Sequence, residues 1–255
     1  MMKYAFLMVF AGIFFGCGDT EFEDPINVTT YGYDYYPLVN GDTRIYQVDS
    51  IQFDLDERGI PTFDSSRYFI KEALLERIEN DLGESVYRLE RYRAESLGEP
   101  WIVDGVLTMS RNDRQAFYRE DNLRFINLVF PITEGVTWDG NAHIRADMNV
   151  FVRGESIQMF SNWVYSIVSV GLPETIGGII YPEVVTVQQA DLENAIERRF
   201  SQEKYAKDIG LVYREREIFD SYCKYSGDLG PCIGKTWFEK AGRGFRTVET
   251  LIEHN

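Results

Sequence analysis

Side-chain types that could carry chemistry are few in this 255-residue sequence, which has three cysteines and two histidines. The histidines, His143 and His254, match no zinc-binding spacing. The sequence has no Gly-x-Ser-x-Gly elbow for a nucleophilic serine, and Gly242-Arg243-Gly244 lacks the lysine and helix of a phosphate loop. We therefore expect no metal, no cofactor and no catalytic residue.

One loop, residues 133–145, combines an aromatic ring with a carboxylate and an amide: Trp138, Asp139 and Asn141. Sugar-binding sites use this combination, because the ring stacks on the sugar while the polar groups hydrogen-bond its hydroxyls. The alternative is structural, with Trp138 closing one end of a barrel and the neighbouring glycines forming turns. The sequence leaves both interpretations open.

Acidic side chains are abundant, with 41 against 26 basic ones and a net charge of −15. This balance argues against binding to nucleic acid or to anionic lipid. Glycoside hydrolysis needs two acids about 5 to 9.5 Å apart. So many acids guarantee chance pairs such as Glu215 and Glu217, so their spacing gives a hydrolase no specific support.

Cys223 and Cys232 are separated by eight residues that include two glycines and a proline. In an oxidising compartment, a close pair of this kind predicts a disulfide at the tip of a hairpin. A redox pair is usually spaced by two residues, and a metal site would need further ligands nearby.

The N-terminus has the layout of an export signal: Lys3, an apolar run over residues 4–15, then Gly16-Cys17. The run is shorter than the roughly 20 residues that span a bilayer. Phe14-Phe15-Gly16-Cys17 resembles a lipobox, which implies cleavage before Cys17 and lipidation of that cysteine. We expect a lipoprotein signal peptide over 1–16, a flexible acidic tether over 17–36 and a single β-rich domain over 37–255.

Alternating apolar and polar residues between short turns predict a mainly β, antiparallel domain with little helix. Residues 66–78 fit either a strand or a helix, with a long hairpin favoured. A change of apolar phase near Ser50 predicts a bulge, and 157–170 reads as one strand. Residues 191–196 predict one helical turn.

Three segments resemble uncharacterised outer-membrane lipoproteins of Bacteroidota: YYPLVNGDTRIYQVDSI, NLRFINLVFPITEGVTWDGNA and EKYAKDIGLVYRERE. The hairpin over 205–212 is also similar to one in clam-like half-barrel periplasmic proteins. The resemblance implies an antiparallel meander that forms a half-barrel or clam-like sheet. Asp49-Ser50-Ile51 resembles the O-glycosylation motif of Bacteroidota, and the sequence leaves open whether Ser50 is modified.

These features support three hypotheses of different classes. The first is a lipid-anchored outer-membrane accessory lipoprotein, a scaffold or subunit with outer-membrane protein partners and no enzymatic activity. The second is a glycan- or lipid-binding module, and the third is a hydrolase. The acidic residues after Cys17 favour a cell-surface orientation, with a periplasm-facing body as the alternative.

Overall fold

A computed structural model describes residues 31–79 and 85–255. The strands are β1 Thr43–Leu55, β2 Pro61–Glu79, β3 Ser85–Ala94, β4 Ile102–Arg111, β5 Gln115–Glu120, β6 Leu123–Val129, β7 Thr137–Trp138, β8 Asn149–Val152, β9 Glu155–Gln158, β10 Tyr165–Ile176, β11 Ile179–Glu193, β12 Glu197–Ala206, β13 Gly210–Ser221 and β14 Ala241–His254. Short helical segments span Tyr33–Tyr35, Cys223–Ser226, Gly230–Cys232 and Trp237–Lys240. The expected mainly β class with little helix is confirmed.

Twelve of these strands form one antiparallel sheet in the order β6-β5-β4-β3-β2-β1-β14-β13-β12-β11-β10-β7. Each strand pairs with its neighbour in sequence, except where β1 pairs with β14 and β7 pairs with β10. The sheet curls into a nearly closed barrel with one seam, which lies between the edge strands β6 and β7. The expected antiparallel meander with a half-barrel form is confirmed.

The antiparallel order fixes which connections share an end of the barrel. We call one end the tether end, because the described chain begins there. At this end the start of β1 meets the end of β14, and the β4–β5 and β12–β13 turns lie there too. At the far end lie the β1–β2 turn and the long connection between β13 and β14, which carries the two cysteines. Twelve residue steps of about 3.3 Å place the two ends roughly 40 Å apart along β1.

Residues 31–36, which the sequence assigns to the tether, belong to the folded body. Tyr35 and Tyr36 are buried, and the Tyr36 hydroxyl donates a 2.8 Å hydrogen bond to the Phe117 carbonyl. Arg111 donates a 2.7 Å hydrogen bond to the Tyr33 carbonyl. The folded part therefore begins before residue 37, while the expected signal peptide, Cys17 and the expected tether up to residue 30 lie outside the described residues.

The predicted bulge at Ser50 is wrong, because β1 and β2 pair without interruption across it. The apolar phase changes because β1 is buried on opposite faces at its two ends. Tyr46 and Val48 are buried on one face, whereas Phe53 packs on Phe219 outside that alternation. Ser50 is itself only 5% exposed in the folded strand.

Two local predictions in the second half of the chain are also wrong. The expected strand over 157–170 is two strands, β9 and β10, because the chain turns between them. In that turn Asn162 adopts a left-handed backbone, and the indole of Trp163 donates a 2.7 Å hydrogen bond to the Met159 carbonyl. The expected helical turn over 191–196 is the end of β11 followed by a bend. Residues 66–78 are strand, as favoured.

Candidate functional site

Trp138 closes the seam of the barrel. It forms β7 with Thr137 and pairs with the start of β10, where its ring packs on Tyr165 with centroids 5.6 Å apart. The indole N–H donates a 2.8 Å hydrogen bond across the seam to the carbonyl of Ile126 on β6. The Ile126 N–H in turn donates to the Gly140 carbonyl at 2.8 Å. The ring is half-buried, and its one donor is engaged in joining the two edge strands.

Asp139 and Asn141 form the turn that follows Trp138. Asp139 accepts a 3.0 Å hydrogen bond from the Asn141 backbone N–H, and the Asn141 carboxamide oxygen accepts one of 3.1 Å from the Tyr165 hydroxyl. Between them, a Cβ on Gly140 would overlap the Tyr165 ring. The structure therefore brings the three predicted ligand-binding residues together around Tyr165. Their use in binding a ligand stays a prediction.

Cys223 and Cys232 form a disulfide, as predicted. Asp220 braces the same connection, because its carboxylate accepts hydrogen bonds from Lys224 at 2.9 Å and from the Tyr225 hydroxyl at 2.7 Å. Burial, together with this bond to Asp220, raises the pKa of Tyr225 to about 12. The far end of the barrel thus carries a stiffened loop.

Among the described residues no group of three or more His, Cys, Asp and Glu side chains could hold a metal ion. His143 is exposed. Over the same ranges, no helix is long and apolar enough to cross a membrane.

A cluster of buried charges inside the barrel is the most distinctive chemical feature of the described chain. One half is centred on Arg91 of β3, which donates a 2.9 Å hydrogen bond to Glu72 of β2. The same guanidinium contacts the Glu120 carboxylate and donates to the Tyr118 hydroxyl. Its side chain is 10% exposed and that of Glu72 is 9% exposed, so the pair is nearly dry.

The other half is centred on Arg214 of β13. Arg214 donates to Glu203 of β12 at 2.7 Å and to Glu249 of β14 at 3.1 Å. Glu203 also accepts a 2.5 Å hydrogen bond from the Tyr205 hydroxyl. The Tyr118 ring lies 5.8 Å from the Arg214 guanidinium and links the two halves.

A cavity of about 20 Å³ lies beside this cluster. Its wall includes Tyr36, Arg44, Asn127 and Tyr205. Such a volume accommodates about one water molecule. The guanidinium of Arg44 is buried beside it, and one of its nitrogens makes no hydrogen bond within the described residues. This cavity therefore has polar side chains in its wall but too little room for a sugar or an acyl chain.

The surroundings in the cluster favour the ionised form of Glu120 and the protonated form of Tyr118. Burial alone would raise the pKa of Glu120, but the positive charges of Arg91, Arg214 and Arg216 outweigh it and hold that pKa below its usual value. Burial, reinforced by the neighbouring carboxylate of Glu120, keeps the pKa of Tyr118 well above its usual value, so the phenol stays protonated. A general acid would need the opposite arrangement, a carboxyl with a raised pKa.

This cluster was not predicted from the sequence, although the strand patterns contain a signal for it. Glu72 lies between Ile70 and Leu74 at the same phase of the β2 alternation, so it shares their buried face. Arg91 has the same relation to Leu89 on β3. A charged residue on the apolar phase of a strand indicates a buried ion pair, since an isolated charge there would be very unfavourable.

No protein-family model and no curated protein sequence matches the chain. In a comparison with solved structures, the chain is similar to a candidate exported protein with a YmcC-like fold from Bacteroides fragilis. That match has a TM-score of 0.39 and 11% identity, and it covers 86% of this chain and 97% of the other. The chain is also similar to a candidate lipoprotein from Parabacteroides distasonis, with a TM-score of 0.37 and 9% identity over 87% and 98% of the two chains. Neither likeness places the chain in a family.

Proposed function

We propose that this chain is a lipid-anchored accessory lipoprotein of the outer membrane, a scaffold or subunit of a membrane-associated assembly with no enzymatic activity. The observation that carries the proposal is that the buried carboxylates inside the barrel are paired with arginines and the cavity beside them is small. The carboxylates of Glu72, Glu120, Glu203 and Glu249 are all held by Arg91 or Arg214, and the adjoining cavity is only about 20 Å³. A body with paired interior charges and so small a cavity is suited to contact other proteins through its outer surface.

The anchor in this proposal is a lipid on Cys17, and the orientation is toward the cell surface. The supporting features are the short apolar run that ends at Cys17 and the acidic residues that follow it. The test is fractionation of cells that express the full-length chain or Cys17→Ser. We expect the native chain in the membrane fraction and the variant in the soluble fraction, and we expect protease added to intact cells to digest the native chain. Equal distribution of the two chains would contradict the anchor.

The accessory role is tested by chemical cross-linking in native membranes, followed by purification of the full-length chain. We expect a defined complex with at least one other protein. Recovery of the chain only as a free monomer would refute this role. A glycan- or lipid-binding module is the alternative, and it has less support because the Trp138 N–H and the Asn141 oxygen are already engaged in the seam.

A further inference from the structure

The far end of the barrel exposes an aromatic patch, which we define as Phe63 of β2 and Phe238 of the helix Trp237–Lys240. Their rings meet edge to face at 5.2 Å, and both rest on the buried ring of Phe53. Each of the two side chains is nonetheless 49% exposed. Leu55 and Ile60, on the same hairpin as Phe63, are 38% and 49% exposed. Contiguous exposed apolar surface of this kind marks an interaction site in soluble proteins.

The elements that carry the patch are fixed in place. The disulfide closes the loop that precedes the Phe238 helix, and Thr236 and Glu239 cap that helix reciprocally. Arg153 at the tip of the β8–β9 hairpin contacts Asp54 and Asp64 on either side of the β1–β2 turn. A surface that is rigid before binding loses little conformational entropy when a partner docks.

The position of the patch argues against two possible occupants, the anchoring membrane and the chain's own N-terminal segment. The described part of the chain begins at Tyr31, at the tether end, and Phe53 beneath the patch lies ten residue steps, roughly 33 Å, from the start of β1. If the expected tether is a flexible coil, its 14 residues from Cys17 to residue 30 would span on average about 20 Å. A body held by Cys17 therefore presents the patch away from its own anchor.

The charge around the patch argues against a second copy and toward a basic partner. Residues 54–64 carry four acidic side chains and one arginine, a net charge of −3. The contacts with Arg153 reduce this to −2, and the segment 235–240 that carries Phe238 adds two lysines and one glutamate, so the surroundings of the patch remain at −1. Two copies that met through this hairpin would bring like charges together, whereas lysine or arginine side chains around an apolar surface would be attracted.

We infer that Phe63 and Phe238 form the docking surface for another protein, whose apolar side chains are surrounded by lysine and arginine. The inference rests on the proposed accessory role and names the surface through which that role is carried out. The two aromatic rings supply the central apolar contact, and the acidic hairpin steers the approach of the partner.

The test is site-specific photo-crosslinking of the full-length chain in its native membranes. A photoreactive phenylalanine analogue replaces Phe63 in one strain. In a control strain it replaces Val39, which is 54% exposed at the tether end. We expect an adduct with one other protein from position 63 only, joined to an apolar segment that contains lysine or arginine. Equal yields at both positions would overturn the inference, as would an adduct of two copies, an adduct with lipid or an acidic partner segment.

Charge variants make the same experiment quantitative. Glu57→Lys reverses an exposed charge on the hairpin, and Glu253→Lys makes the same change at the tether end. We expect Glu57→Lys to reduce the adduct yield about fivefold and Glu253→Lys to leave it unchanged. No effect of Glu57→Lys would contradict the inferred basic partner.

A non-selective cross-linker applied to the same membranes distinguishes failure of the docking surface from failure of the accessory role. If it captures a partner while position 63 gives no adduct, the accessory role stands and the docking surface is wrong. If it captures no partner either, both fail.

Discussion

Replacing Arg91 with methionine tests whether the buried charges behave as one paired unit. Methionine keeps much of the side-chain length but removes the cation that holds Glu72 at 2.9 Å and also contacts Glu120. These two carboxylates are only 9% and 28% exposed, so in the variant they stay largely buried without a cation on β3. Breaking a buried ion pair in this way costs about 3 to 5 kcal/mol. That is a large part of the roughly 5 to 15 kcal/mol that stabilises a folded domain.

The free energy of unfolding is measured by urea denaturation at pH 7 for the native chain, Arg91→Met and the matched control Arg145→Met. Arg145 pairs with Asp147 on the surface, where the side chains are 83% and 63% exposed, so we expect no measurable change in the control. Adding Glu72→Gln to Arg91→Met removes one unpaired charge and restores at least about 1 kcal/mol. Equal stability of Arg91→Met and Arg145→Met would refute the buried pairing.

The difference in unfolding free energy between the native chain and Arg91→Met changes with pH in a direction that the pKa of Glu120 fixes. Although burial alone would raise it, the folded-state pKa of Glu120 is held below its unfolded value of about 4.3, in the first place by Arg91. The stability from this pairing is therefore present above about pH 4.3 and is lost as the pH falls through the lowered folded-state pKa. Arg91→Met lacks that contribution, so the gap between the two chains narrows from pH 7 to pH 3.5. A gap that stays constant or widens on acidification would contradict the assignment.

Three further variants probe the seam and the far end, each by urea denaturation. Gly140→Ala places a methyl group against the Tyr165 ring, and we expect it to destabilise the fold by at least about 2 kcal/mol. The control Gly98→Ala has open space around it and is nearly neutral. Equal effects of the two variants would contradict the seam packing. Trp138→Phe removes the indole hydrogen bond across the seam and lowers the free energy of unfolding by about 1 kcal/mol, and no loss would show that the bond contributes nothing. Replacing both Cys223 and Cys232 with serine opens a loop of separation 9 and costs about 2 to 3 kcal/mol, whereas an unchanged stability would mean that the unfolded chain is not constrained by the bridge.

Local sequence pattern was sufficient to predict the β meander and the disulfide, because both depend on residues close together in the chain. Alternation and turn residues locate strands, and a short spacing that contains glycine and proline brings Cys223 near Cys232. The structural role of Trp138 was one of two open interpretations. Its hydrogen bond to Ile126 depends on the barrel curling until its edges meet, which local pattern does not encode.

Strand register explains why the buried charge cluster was not predicted from the sequence. Arg91 is opposite Glu72 across β2 and β3, and Arg214 is opposite both Glu203 and Glu249. Which charges meet depends on how neighbouring strands align, and a shift of one residue would place every side chain on the other face. The bulge at Ser50 was wrongly predicted because the outer face of β1 is covered by a connection nearly two hundred residues later in the chain, which local pattern does not show.

Native mass measurement of the detergent-extracted, full-length protein tests whether the chain acts at a membrane by contact with another protein. We expect a discrete species that is heavier than the 29.6 kDa chain and contains a second protein. We also expect the N-terminal residue to be Cys17 carrying a lipid. A monomer with no bound protein would contradict the accessory role, and a mature chain that begins elsewhere without lipid would contradict the anchor.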